Sequence, residues 1–364
     1  MKAVIVGYAR TPFQFARKGR LVSTRPETLL TNVLAGLVQR TRIPHEAIED
    51  VIVGCAYPEG PQGNNIARIA LLLAGLPNSI GGMTVNRFCA SSMSAIHIAA
   101  AQIEAGVGQA YLCAGVESMS MVPQGGLSFD PHPSMVSPHS DAYISMGETA
   151  ENVARRWGVS RADQERLALE SHRKAAQAQR QGLFTDEILP ISVADGTSVT
   201  EDGCIRPGTT LDALAALKPA FRPDGLVTAG TSSPLTDGAA GVVVVHEALA
   251  AKLGLRPLAR IVTFASAGVD PDVMGIGPVP ATQKVLERAG LKATDLDVVE
   301  INEAFASQAL ACIRELGLRM DTVNIDGGAM ALGHPLGATG ARITGKAAAL
   351  LQRTGGRYAL STQC

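Results

Sequence analysis

Three short stretches bring together residue types suited to covalent chemistry. In TVNRFCASSMSAIHIAAAQIEAG, a β-rich segment runs into Cys89 and then into a helical pattern with Met93, Ile96, Ala100 and Ile103 on one face. A cysteine at such a junction faces unpaired N–H groups and the positive end of a helix dipole, and both favour a thiolate. Ala90, Ser91 and Ser92 are small enough for a substrate to approach. The competing reading is inert packing in an apolar setting. In GGAMALGHPLGATGARITG, His334 stands between Gly333 and Pro335, with Gly327, Gly328, Gly337 and Gly340 nearby. This is either a tight turn exposing a histidine or the base of a nucleophile–base pair with Cys89. No Gly-Lys-Ser/Thr follows, so it is not a Walker phosphate loop. In VVEINEAFASQAL, a strand delivers Asn302 and Glu303 to a helix containing Phe305. An Asn cap with a first-turn Glu explains that pattern, and so does an amide that holds a water or an oxyanion. Cys364 ends a strand-like run, RYALST, and composition alone gives it no role.

The remaining candidates read as structural. Cys55, Cys113 and Cys312 lie in apolar runs, Cys204 lies in a polar stretch, and His97 reads as a packed core histidine; His132, His139, His172 and His246 read as surface or lid residues. With six scattered cysteines and no CxxC pair, the expectation is a reduced cytoplasmic protein without a zinc site. The net charge of −1 and 4% aromatic content argue against nucleic acid and anionic lipid as partners. The opening MKAVIVGYARTP lacks the apolar run of a signal peptide, and no segment offers the roughly 18 uncharged apolar residues of a membrane span.

The elements that must position these residues fall into three textures over 364 residues, 46% of them hydrophobic. Residues 1–117 alternate continuous apolar runs (KAVIVGYA, EDVIVGCAY, QAYLCAGVE) with amphipathic stretches, which predicts a mostly parallel sheet covered on both faces. Residues 118–237 are richer in Pro, Ser, His and charge, and read as a polar insertion or lid. Their strongest element is a helix from Ser160, with Asp163 completing a capping-box-like start and Gly182 as a stop. Residues 238–364 return to the first texture. RIPHEAIEDVIVGC resembles AGLKATDLDVVEIN, and Thr84-Val85-Asn86 recurs as Thr322-Val323-Asn324, so the α/β half reads as duplicated. The expected units are 1–117 plus 238–255, the insertion 118–237, and 256–364.

Together these stretches resemble the thiolase family, in order along essentially the whole chain: VNRFCASSMSAI, GVESMS, MGETAENVA, AGTSSPLTDGAA, MGIGPVPA, NEAFA and GHPLGATGAR. The resemblance implies an α/β fold of α-β-α-β-α layers, with two similar halves and an insertion domain. It implies Cys89 as the acyl-carrying nucleophile and His334 as its base. Asn302 would hold a water that helps stabilise an enolate, and Cys364 would be the second acid/base. The family's oxyanion hole adds a glycine N–H from a Gly-rich turn after the second cysteine. The sequence ends before that turn and before the family's last strand, so the C-terminal half is read as truncated or the protein as impaired.

The resemblance further implies coenzyme A as co-substrate, with no covalently bound cofactor and no metal. Arg206 would meet its nucleotide end, Ser233 its pantetheine, and Met146, Phe221 and Phe305 would line the tunnel to the thioester. The implied reaction is thiolytic cleavage of 3-ketoacyl-CoA by a homodimer or homotetramer. Ser145-Met146 replaces the His-Met of some acetoacetyl-CoA thiolases, which favours the broader degradative enzyme over a biosynthetic one. A decarboxylating ketoacyl synthase, which lacks a second catalytic cysteine, and a non-catalytic acyl-CoA binder are the other readings.

Overall fold

The computed structural model describes residues 1–136 and 141–364; His139 lies outside the described residues. The larger sheet places its strands in the order Gly81–Val85, Asp50–Gly54, Ala110–Ser118, Thr236–His246, Ala3–Arg10 and Ala259–Arg260. The first three are parallel, as the apolar runs predict, but Thr236–His246 is antiparallel to both of its neighbours. The expectation of a mostly parallel sheet is corrected for this reason: the chain leaves the sheet at Ser118 and returns beside it, with Ser118 opposite Asp237. A strand entered at the same end that its neighbour left must run the other way.

Five layers follow from what each element covers. Helices Pro26–Thr41 and Ile66–Leu73 cover one face of the large sheet, and helices Ser91–Glu104 and Thr339–Thr354 cover the other. Beyond Thr339–Thr354 lies a second sheet of Val298–Ile301 paired in parallel with Ala359–Thr362, with Val323 bridged to Val299. Helices Pro278–Ala289 and Ala306–Leu316 form the outer layer on that side. The molecule is thus a layered α/β fold with two similar halves.

Glycine allows the central layer to be this thin. A Cβ on Gly115 would lie 2.1 Å from the Gly337 carbonyl oxygen, and one on Gly340 would lie 2.2 Å from the Met93 nitrogen. The second central helix therefore rests backbone to backbone on the first, and the turn that leads into it rests on the sheet. The repeated asparagines have matching duties: Asn86 donates to the Ala56 carbonyl, and Asn324 bridges the Ile301 N–H and C=O. Each ties a strand end to the neighbouring strand's exit.

Residues 118–237 are more than a polar cover. Helix Met146–Arg156 is capped by Ser145, and helix Arg161–Arg180 by Ser160, whose hydroxyl accepts the Asp163 N–H at 3.1 Å. Val153, Leu167 and Ala168 join the core of the C-terminal half, and Ala175, Phe184 and Ile188 pack on Ala331 and Leu332. A buried ion network adds to this. Arg10 of the first strand meets Glu187 and Asp202 at 2.8 and 2.7 Å, and Lys346 of the second central helix meets Glu187 and Asp326 at 2.9 and 2.7 Å. Among the described residues no helix is long and apolar enough to cross a membrane.

Gly115→Ala is expected to destabilise the fold by roughly 1–3 kcal/mol through overpacking, whereas Gly268→Ala, with nothing within 4 Å of the added carbon, is expected to be neutral. Thermal unfolding of both variants checks this: equal shifts would contradict the close packing of the central layer.

Candidate active site

Cys89 lies in a single 3₁₀ turn, Phe88–Ala90, just before helix Ser91–Glu104, so the strand-to-helix junction seen in the sequence is present. The turn is sharp. Phe88 takes φ +45°, in the left-handed region that a bulky residue rarely adopts. Side chains on both sides hold it there: Asn86 Oδ1 accepts the Phe88 N–H at 2.8 Å, and Ser91 Oγ accepts from Arg87 N and donates to the Phe88 carbonyl.

His334 arrives from the other half of the molecule. Gly333 before it takes φ +104°, and a Cβ there would strike Thr236 at 2.7 Å, so only glycine fits. Thr236 Oγ1 accepts the His334 N–H at 3.0 Å, and the ring bridges two groups: Nδ1 to Thr339 Oγ1 at 2.6 Å and Nε2 to Cys89 Sγ at 3.2 Å. Asn302 Nδ2 also points at Nε2, at 3.4 Å. With an amide donor and a thiol both facing Nε2, that nitrogen is the acceptor, and Nδ1 carries the proton it donates to Thr339.

Asn302 and Glu303 do not cap the following helix, which begins at Ala306. Asn302 lies past the end of its strand, fixed by its N–H to the Thr362 carbonyl at 3.0 Å, and its buried Oδ1 has no partner. The cap reading of these two residues is corrected accordingly. Glu303 braces the loop that leads to His334, accepting from Ser171 Oγ, Asn324 Nδ2 and the Met330 N–H. Glu117 does the same on the other side, accepting from the N–H groups of Ala56, Tyr57 and Gly337 and from Gln62.

The electrostatics overturn one sequence expectation. Burial pushes the Cys89 thiol up, the charges of Cys364 and Glu117 add to this, and its own backbone N–H only partly opposes them. Burial, helped by the Arg342 charge, pushes His334 down to about 3. Both shifts favour a neutral thiol beside a neutral imidazole over a thiolate–imidazolium pair. The helix end favours the anion as expected, but loss of solvent outweighs it. Cys364 is pushed up to about 11 by burial, and its charge reaches both Cys89 and Cys312.

The other candidates divide. Phe221 meets Phe305 edge to face at 5.8 Å and packs on Gly147, next to Met146. Ser232 bridges to Phe305, and Ser233 Oγ donates to the Ala304 carbonyl at 3.1 Å. Phe221, Ser233 and Phe305 thus gather in one patch, with Met146 next to Gly147 in the chain and Phe305 three residues after Asn302. Arg206 sits instead against Phe15, its guanidinium 5.2 Å from the ring centre. His172, read as a surface or lid residue, lies on helix Arg161–Arg180 of the insertion but is buried there, and its Nδ1 accepts the Arg206 N–H at 3.1 Å. His97 stacks on Phe264 at 4.5 Å. Among the described residues no group of His, Cys, Asp and Glu is arranged to hold a metal. Thr236, Thr339 and Glu117 were not singled out in the sequence. Thr339, in the Gly-rich stretch that opens the helix after His334, carried the one usable signal.

The sequence matches the thiolase N-terminal domain over residues 3–248 and the thiolase C-terminal domain over residues 255–364. The chain belongs to the thiolase family. Its relatives include a 3-ketoacyl-CoA thiolase of Saccharophagus degradans, 47% identical over 370 residues that cover 99% of this chain and 94% of that protein. A 3-ketoacyl-CoA thiolase of Bacillus subtilis is 44% identical, with 100% and 96% covered. A 3-oxoadipyl-CoA/3-oxo-5,6-dehydrosuberyl-CoA thiolase of Escherichia coli is 46% identical, with 95% and 92% covered.

With neutral His334 taking the proton as sulfur attacks, alkylation of Cys89 by iodoacetamide, followed on its own peptide at neutral pH, should slow about tenfold or more in His334→Ala. An unchanged rate would remove His334 as the base. Thr339→Val should slow the same reaction about tenfold by releasing the ring; an unchanged rate would remove Thr339 from the arrangement.

Proposed function

We propose that this thiolase cleaves 3-ketoacyl-CoA with coenzyme A, giving acetyl-CoA and a shortened acyl-CoA through an acyl group carried on Cys89. The observation that carries the reading is the 3.2 Å contact between Cys89 Sγ and His334 Nε2, with Asn302 directed at the same nitrogen. The relatives' names support the substrate class.

In this reading His334 Nε2 takes the Cys89 proton as sulfur attacks the 3-keto carbon, so the thiolate forms only when an electrophile is there to receive it. The Cα–Cβ bond then breaks. The acyl group stays on Cys89, and the electron pair leaves as the enolate of acetyl-CoA. Its oxygen accepts from protonated His334 and from a water held by Asn302, whose unpartnered Oδ1 suits that duty. Cys364 gives its proton to the enolate carbon, and the resulting thiolate takes a proton from incoming coenzyme A. The coenzyme A sulfur attacks the acyl carbon, the shortened acyl-CoA departs, and His334 returns the proton to Cys89. A thiol pushed up to about 11 suits Cys364 to protonating a carbanion, because it holds its proton firmly until a strong base appears.

The patch of Met146, Phe221, Phe305 and Ser233 is the proposed wall of the thioester channel, and exposed Arg206 the contact for the nucleotide end. The proposed units are 1–117 with 238–255, the insertion 118–237 that contacts coenzyme A, and 256–364. The proposed setting is a cytoplasmic homodimer or homotetramer, in line with six unbridged cysteines.

Steady-state thiolysis over a ladder of straight-chain 3-ketoacyl-CoA esters and 3-oxoadipyl-CoA tests the substrate class. Turnover of several chain lengths is expected; activity confined to the four-carbon ester would favour a biosynthetic acetoacetyl-CoA thiolase. Cys364→Ala should retain acylation of Cys89 yet lose proton exchange at the acetyl α-carbon by at least ~100-fold, and undiminished exchange would assign the proton transfer to another group. His334→Ala should suppress acylation itself.

A further inference from the structure

We propose that the buried Arg342–Glu300 ion pair is a positioning device for the Cys89–His334 reaction, and that acylation of Cys89 requires Glu300 as the carboxylate. The inference deepens the thiolase reading above and rests on it. Glu300 lies on strand Val298–Ile301, just before Asn302, and Arg342 lies on helix Thr339–Thr354, one turn after Thr339. Asn302 and Thr339 touch the two ring nitrogens of His334. The pair therefore fastens to each other the two elements that hold the imidazole.

Its construction is unlike that of the structural pairs nearby. Arg10 forks onto Asp202 with both bonds at 2.7 Å, and Arg353 forks onto Asp326 at 2.8 and 2.6 Å. Arg342 meets Glu300 through one bond, Nη1 to Oε2 at 2.8 Å, although both residues are fully buried. Arg342 Nε and Nη2, Glu300 Oε1 and the Tyr8 hydroxyl have no hydrogen-bond partner. A buried pair so incompletely satisfied is costly as a clamp, since each unmet group bears its desolvation penalty. Its charge has a use instead. The Arg342 charge helps hold His334 neutral. When His334 takes the Cys89 proton, a second cation forms near the guanidinium, and an ionised Glu300 offsets the repulsion.

The charged groups facing Glu300 are Arg342 and Lys346 from the helix, Asp326 from the loop before His334, and Glu187 from the insertion, with the Tyr8 hydroxyl facing it from the first strand. Burial outweighs the two cations and moves Glu300 up to about 7. Its carboxylate is therefore present above that pH and lost as pH falls through it. Without it, Arg342 acts on the imidazole unopposed, and acylation is expected to slow roughly tenfold.

The test is single-turnover acylation of Cys89 by a 3-ketoacyl-CoA without free coenzyme A, read by intact mass on the full chain between about pH 5.5 and 9. The wild type should show a limb near pH 7, and Glu300→Gln should be flat at the wild type's acid level. If Glu300→Gln does not fold, Arg342→Gln carries the test. Removing the main cation opposite Glu300 should move the limb to higher pH. A wild-type profile without the limb, a limb that persists in Glu300→Gln, or one that stays in place in Arg342→Gln would overturn the inference. Those results leave the thiolase reading intact. Only the absence of any mass gain on wild-type Cys89 sinks both.

Discussion

A thiol and an imidazole from the two halves of the chain meet at 3.2 Å, and much of the architecture serves that contact. Cys89 comes from a strained turn on the first half and His334 from a glycine-rich loop on the second. They can meet because the second central helix lies backbone to backbone on the first at Gly340, and the turn before it lies on the sheet at Gly115, where neither position leaves room for a side chain. The same closeness removes water. Desolvation raises the thiol, lowers the imidazole and leaves both neutral. The nucleophile is thus held protonated beside its base, and charge separates only when an acyl acceptor can take up the electron pair. A free thiolate in an open pocket would be exposed to oxidation and alkylation.

Two buried carboxylates set the loops around this contact. Glu117 ties the N–H groups of Ala56 and Tyr57 to that of Gly337, just after His334, and Glu303 gathers Ser171, Asn324 and Met330 before it. Each closes a segment with no regular ladder to satisfy its backbone, which a buried loop otherwise cannot do. The duplicated asparagines, Asn86 and Asn324, repeat the device at the strand ends. The duplication therefore extends from the layers to the polar anchors of the site.

The chemistry was legible where it was written locally. Cys89 stands at a junction from strand to helix, His334 lies among glycines, and the layered α/β class follows from apolar runs between amphipathic stretches. What failed depended on distance or burial. The direction of strand Thr236–His246 is set by where a long insertion re-enters the sheet, which no local pattern encodes. The thiolate expectation counted the helix end, which is visible in sequence, and not the desolvation, which is not. His172 is instructive in another way. It lies on the buried stripe of helix Arg161–Arg180 with Gln164, Leu167, Ala168, Ser171 and Ala175, so helical periodicity had already marked it as interior. The network of Arg10, Glu187, Asp202, Asp326 and Lys346 joins residues remote in sequence and left no signal at all.

The account depends on the charge state of the resting pair, and His334 reports it directly. In protein labelled with ¹⁵N at histidine, with His334 assigned by comparison with His334→Ala, ring nitrogen shifts should show a neutral imidazole protonated at Nδ1 throughout the neutral pH range. Two protonated ring nitrogens on His334 near pH 7 would establish a resting imidazolium and contradict the account.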